Sequence, residues 1–176
     1  VATAEDPRHL AQLGEVYALA GGPLAVASHH DAVRLSEQPL KYEVGRDIVY
    51  GAQQITGDLA EKWEMSPDGK TWTFNLHKGV KWQNIAPVNG REFTSADVAC
   101  TIHRIQTFTG AVQAGLMGIV SKVETPDPYT AVFQLSEPFA GFDQSVASYN
   151  MEIIPCEADR GEFDLKTTAI GTGPFI

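Results

Sequence analysis

A chain of 176 residues can hold one ordinary domain, or one with a small annex, and its 43% hydrophobic and 20% charged residues are those of a globular protein with a sizeable core. Thirteen basic against 22 acidic residues leave a formal charge of −9. That speaks against nucleic acid or an anionic membrane surface as the main partner, since both reward clustered Lys and Arg. The longest weakly polar stretch, "YALAGGPLAVA" at residues 17–27, is too short to span a bilayer and carries two glycines and a proline. No signal peptide is visible, and a start at Val1 without methionine reads as a trimmed or processed chain. Cys100 and Cys156 are too few for a disulfide scaffold and lack metal-ligand spacing. They read as buried thiols, with a single disulfide as the alternative.

In chain order, "VATA" at residues 1–4 reads as a short buried strand, and a helix is expected from Pro23 to about Leu35. Residues 37–56 mix charge, Tyr and Gly without a clear period and read as loop and short strand. A hairpin follows: "EKWEM" and "TWTFNLH" flank "SPDGK", in which Ser66, Pro67, Asp68 and Gly69 match a type I turn position by position. Trp72, Phe74 and Leu76 then alternate with Thr71, Thr73, Asn75 and His77, the pattern of a half-buried strand. "KGVKW" turns at Gly79 and puts Val80 and Trp82 on one face. In "REFTSADVACTIHRI", Thr94 is an N-cap with Asp97 at N3, and Phe93 and Val98 form a hydrophobic staple. With Val98, Ile102 and Ile105 at helical spacing, this predicts a helix from Ser95 to about Phe108. A second hairpin comprises "IVSKVET", the turn "PDPY" and "TAVFQL". Phe139, Phe142 and Val146 share one helical stripe, "MEIIP" reads as a short apolar strand, and "CEADRGEFDLKTTA" as a polar surface connection. Hairpin, helix, hairpin, helix, strand is an α+β order.

Few residues carry a chemical signal. "GTGP" at residues 171–174 lacks the lysine of a phosphate loop and does not open a helix, so Gly171 and Gly173 read as turn residues. His29 and His30 are adjacent, point about 100° apart on a helix, and cannot share one metal ion as an i, i+4 pair does. His77 and His103 take the bland reading too. Glu157, Asp159, Glu162 and Asp164 form an acidic run that reads as a solvated loop, because catalytic carboxylates must converge across a cleft. No nucleophile motif such as GxSxG is present, and neither catalysis, a metal nor a cofactor is expected. Trp63, Trp72 and Trp82 lie on or beside the first hairpin and read as core.

Several motifs in order carry a family resemblance. "GDLAEKWEMSPDGKTWTFNLHKGVKW" and "FTSADVACTIHRI" closely resemble the dipeptide/oligopeptide branch (family 5) of the ABC-transporter solute-binding proteins. "VETPDPYTAVFQLSEPFAGF" resembles that family's second hairpin and following helix. "IIP" and "AIGTGPF" resemble its closing strand, and "VATAEDPRHL" its opening strand and loop. Two stretches depart from the pattern: "KYEVGRDIVYGAQQI" is longer than the family's linker, and "NIAPVNGRE" replaces a shorter turn.

The resemblance implies a partial periplasmic-binding-protein lobe. Residues 1–40 would be the first lobe's opening strand and helix, residues 41–166 an inserted α+β subdomain, and residues 167–176 the strand returning to the lobe, with the second lobe absent. It implies an extracytoplasmic protein, periplasmic or on the outer face of the membrane. That protein would close its lobes around a small solute, most readily a peptide, and deliver it to an ABC permease. By position, Leu19, Ala20 and Gly21 fall on a cleft-facing loop, and Tyr149 and Asn150 on a second contact. Relatives carrying nickel, heme, opines or oligosaccharides remain alternatives, as does a stand-alone interaction domain. The open lobe surface further implies self-association of the piece.

Overall fold

The "SPDGK" turn is built as its residues demand in the computed structural model, which describes residues 38–43, 54–148 and 150–173. The Gly69 N–H donates to the Ser66 carbonyl at 2.9 Å, and Ser66 Oγ accepts the Thr71 N–H at 2.9 Å. Gly69 takes a φ of +69°, which favours glycine. The turn joins β3 (Ala60–Met65) to β4 (Thr71–Leu76), with Trp63 opposite Phe74 and Met65 opposite Trp72. The second hairpin pairs β5 (Val120–Asp127) with β6 (Thr130–Leu135). Its turn is tighter than "PDPY", because Pro126 is absorbed into β5. Pro126 lacks a ladder donor, and it is tolerated beside a register shift on an edge strand.

The two hairpins join through their inner strands into one antiparallel sheet of order β3-β4-β6-β5. Trp72 lies opposite Phe133 and Phe74 opposite Ala131. One face is apolar, with Trp72, Phe74, Leu76, Ala131, Phe133 and Leu135 all buried. The other is polar, where Thr71 Oγ1 donates to Gln134 Oε1 at 3.0 Å. A separate two-stranded ribbon pairs β1 (Leu40–Tyr42) with β2 (Ile55–Gly57).

Helix α1 (Ser95–Thr107) lies against β5 and β6. It starts as the capping residues require: Asp97 Oδ2 accepts the Thr94 N–H at 3.0 Å, and Phe93 and Val98 are buried. A short helix α2 (Ala114–Met117) follows, anchored by the fully buried Met117. Helix α3 (Phe142–Val146) inserts Phe142 against Phe133 at 5.3 Å and Trp72 at 6.0 Å between ring centroids. Phe139 lies outside this helix and half-buried; its carbonyl accepts Trp72 Nε1–H at 3.3 Å.

Three expectations are corrected. "MEIIP" is buried at Met151 and Ile153 but joins no ladder. A helix side chain serves it instead, as Thr101 Oγ1 accepts the Ile154 N–H at 3.0 Å. The polar stretch after it is no mere surface connection: it opens with helix α4 (Cys156–Asp159), whose Cys156, Glu157 and Ala158 are buried. The two cysteines are not free thiols but a Cys100–Cys156 disulfide between α1 and α4. The expected strand at residues 1–4 and the helix from Pro23 lie outside the described residues.

Candidate functional site

Of the five cleft candidates, Leu19, Ala20, Gly21 and Tyr149 lie outside the described residues. Asn150 is described and exposed, between two fixed points. On one side Ser148 is held twice: its carbonyl accepts Gln38 Nε2–H at 2.6 Å, and its Oγ accepts Gln113 Nε2–H at 3.3 Å. On the other side Met151 is buried, and its N–H donates to the Ser148 carbonyl at 2.8 Å. Gln38 precedes β1 and Gln113 caps α2, so two separate elements converge on this segment. Two residues further on stands Glu152, open to solvent on one side. The protein packed around its other side raises its carboxyl above the ordinary range by desolvation.

The segment is tied down at its far end by a polar seam between α1 and residues 154–159. The Cys156 N–H donates to Asp97 Oδ1 at 3.0 Å, and Arg104 donates to the Ala158 carbonyl at 3.3 Å. His103 Nδ1 lies 3.0 Å from Asp159 Oδ2. At the centre of the seam Arg91 bridges two carboxylates. It reaches Asp97 at 2.6 and 2.9 Å and Glu157 at 2.6 and 2.8 Å, a fork engaging both acids in pairs. Asp97 has no solvent exposure and takes a further hydrogen bond from Trp82 Nε1 at 3.3 Å. Hydrogen bonding from Arg91 lowers the Glu157 carboxyl to about 2. Asp97 first and Glu157 second hold the Arg91 guanidinium above its already high range.

The acidic run is therefore no uniform solvated loop. Glu157 is buried on Arg91, Asp159 turns to His103, and Glu162 meets Arg160 at 2.6 Å. Arg160 also lies 3.5 Å from Glu157, and Asp164 accepts the Lys166 N–H at 2.9 Å, so each acid has a partner of its own or shares a cation. Sequence reasoning recognised Asp97 only as a helix cap and gave no role to Arg91, whose partners include one 66 residues away. Among the described residues no three His, Cys, Asp or Glu side chains group as a metal site; His29 and His30 lie outside them. The glycines of "GTGP" do not cradle an anion through Gly171, because its N–H donates to Gln83 Oε1 at 3.0 Å. The Gly171 carbonyl in turn accepts the Gln83 N–H at 2.8 Å. Trp72 and Trp82 are core, as read, with Trp63 half-buried against it. No helix among the described residues is long and apolar enough to cross a membrane.

The fold has known counterparts. Residues 54–176 match the family of bacterial extracellular solute-binding proteins, family 5, in its middle region, and the chain belongs to that family. It is 33% identical over 147 residues to the Di/tripeptide-binding protein 1 of Pseudomonas aeruginosa (strain UCBPP-PA14), covering 72% of this chain and 27% of that protein. Among solved structures it is similar to the periplasmic binding protein AgaA of A. tumefaciens R10 in complex with agropinic acid. That likeness has a TM-score of 0.67 and 30% identity, covering 81% of this chain and 27% of the other. It is also similar to DppA from Helicobacter pylori in complex with the peptide STSA, with a TM-score of 0.64 and 26% identity, covering 85% and 32%. The chain thus spans about a quarter to a third of the length of these relatives.

Proposed function

We propose that the chain is the first-lobe portion of an extracytoplasmic solute-binding component of an ABC importer. The whole protein captures a di- or oligopeptide by closing its lobes and passes it to the permease, with no chemistry on the solute. In this reading residues 1–40 open the lobe, residues 41–166 form the inserted subdomain and residues 167–176 return to the lobe. Leu19, Ala20, Gly21, Tyr149 and Asn150 then contribute to the cleft. The observation that carries the assignment is the stretch formed by residues 148 and 150–152. Gln38 and Gln113 fix it from two elements, yet it leaves the Asn150 carboxamide open to hydrogen-bond a peptide backbone. The peptide class is supported by the P. aeruginosa relative's name and by the peptide held by the H. pylori protein. The Cys100–Cys156 bond favours an oxidising compartment, hence the periplasm or the outer face of the membrane.

Calorimetry of the full-length parent against dialanine, the peptide Ser-Thr-Ser-Ala and agropinic acid tests this reading. Peptide binding that Asn150→Ala weakens about tenfold is expected, the loss of roughly one good hydrogen bond. An opine is the second reading, favoured by the higher TM-score to AgaA. Binding of agropinic acid with none of either peptide would establish it and sink the peptide assignment.

A further inference from the structure

We infer that Gln83 is a positioning residue, which clamps the turn at residues 171–173 and so sets the direction in which the chain leaves the subdomain. The inference rests on the lobe-closure reading above. Gln83 meets this turn three times: its N–H donates to the Gly171 carbonyl at 2.8 Å, its Oε1 accepts the Gly171 N–H at 3.0 Å, and its Nε2 donates to the Gly173 carbonyl at 3.2 Å. One residue thereby supplies the pairing that a neighbouring strand would otherwise provide. A carboxamide carries both the acceptor and the donor this requires on one side chain. Glu keeps the acceptor but sets a second oxygen against the Gly173 carbonyl, and Leu keeps neither.

Gln83 is itself held. Its carbonyl accepts the N–H groups of Ile85 and Gly90 at 2.8 and 3.2 Å, and the Asn89 N–H closes the loop onto the Ile85 carbonyl at 2.8 Å. Val88 is buried beneath the loop. The loop's far end is Arg91, whose guanidinium is locked on Asp97 and Glu157. A single short loop, within the "NIAPVNGRE" stretch that departs from the family pattern, therefore ties the outgoing chain to α1 and α4. Those two elements also hold the far end of the candidate solute segment. A wandering exit would leave only part of the population with both halves of the cleft in register, and apparent affinity falls by that fraction.

The test compares Gln83→Leu and Gln83→Glu. In this chain, amide exchange at Gly171 is expected to speed up at least tenfold in Gln83→Leu and to stay slow in Gln83→Glu, while exchange at the core Phe133 is unchanged in both. In the full-length parent, Gln83→Leu is expected to weaken dialanine binding at least fivefold, with Gln83→Glu in between. Unchanged Gly171 exchange in Gln83→Leu overturns the clamp, and so does acceleration at Gly171 and Phe133 together, which is general destabilisation. Release of the turn with wild-type dialanine affinity overturns the positioning role. A wild-type parent inert to both dialanine and Ser-Thr-Ser-Ala sinks the peptide reading alone. The clamp then stands or falls on Gly171 exchange, which needs no solute.

Discussion

Replacing Arg91 by Met keeps most of the side chain's volume and removes its charge, leaving Asp97 and Glu157 stranded together. Asp97 retains three donors: the N–H groups of Thr94 and Cys156, both at 3.0 Å, and Trp82 Nε1 at 3.3 Å. Glu157 retains Arg160, at 3.5 Å, and its own backbone N–H. Removing one partner of a buried ion pair costs ~3–5 kcal/mol. Arg91 keeps 32% of its side chain exposed and Asp97 keeps its donors, so the lower end, about 3 kcal/mol, is expected from urea denaturation at pH 7. Adding Glu157→Gln removes the less compensated charge and should recover part of the loss.

Acid supplies an independent readout. The Glu157 carboxyl is depressed from 4.5 to about 2 in the folded chain. Its contribution is therefore present above the unfolded value and disappears as pH falls from about 4.5 toward 2. At ~1.4 kcal/mol per pH unit, this is an upper bound of ~3 kcal/mol. Wild type should lose stability steeply across that window, and Arg91→Met should lose much less. A variant within ~1 kcal/mol of wild type at pH 7, or one with the same acid slope, would refute the reasoning that Arg91 neutralises two buried acids.

Other expectations follow from single contacts. Reducing Cys100–Cys156, or replacing both by Ser, opens a bridge with a sequence separation of 56. Chain-entropy arguments put the loss at about 4 kcal/mol, measurable by guanidinium denaturation with and without reductant. Gly57→Ala drives the new Cβ into the Ala60 carbonyl oxygen. Backbone must move to admit it, so a loss of at least ~2 kcal/mol is expected in the same assay. Phe142→Ala removes a fully buried ring from between Trp72, Phe74 and Phe133, which should lower stability by ~3–5 kcal/mol. If the cluster collapses around the gap, the loss will sit at the low end.

What was legible in the sequence was local. The Ser66–Gly69 turn and the Thr94/Asp97 cap are each decided within six residues, and each stands where its residues put it. Alternation in "TWTFNL" and "TAVFQL" also gave the buried faces correctly, since a pleated strand leaves no other choice. The joining of the two hairpins through β4 and β6 was not legible, because register between distant strands has no short-range signal. "MEIIP" has the composition of a strand, but the acceptor that serves its Ile154 N–H lies on a helix far away in sequence. Composition likewise made Glu157 a surface acid, and only its distant partner Arg91 makes it a buried one. The site was legible only by family position. Asn150 is where a contact residue could stand, but the grip of Gln38 and Gln113 on Ser148 depends on contacts across 110 and 35 residues.

The disulfide also settles what a severed chain would do. Residues 108–110, 112, 115 and 116 are exposed, in a stretch with three glycines that runs over the surface between α1 and β5. Such a tip is where a protease cuts first. A cut there falls inside the ring closed by Cys100 and Cys156. The two pieces stay covalently joined, with β4 on one and β6 on the other still side by side in the sheet. The nicked molecule runs as one species until it is reduced, and it keeps its sheet among enzymes that would dismantle an uncrosslinked fold.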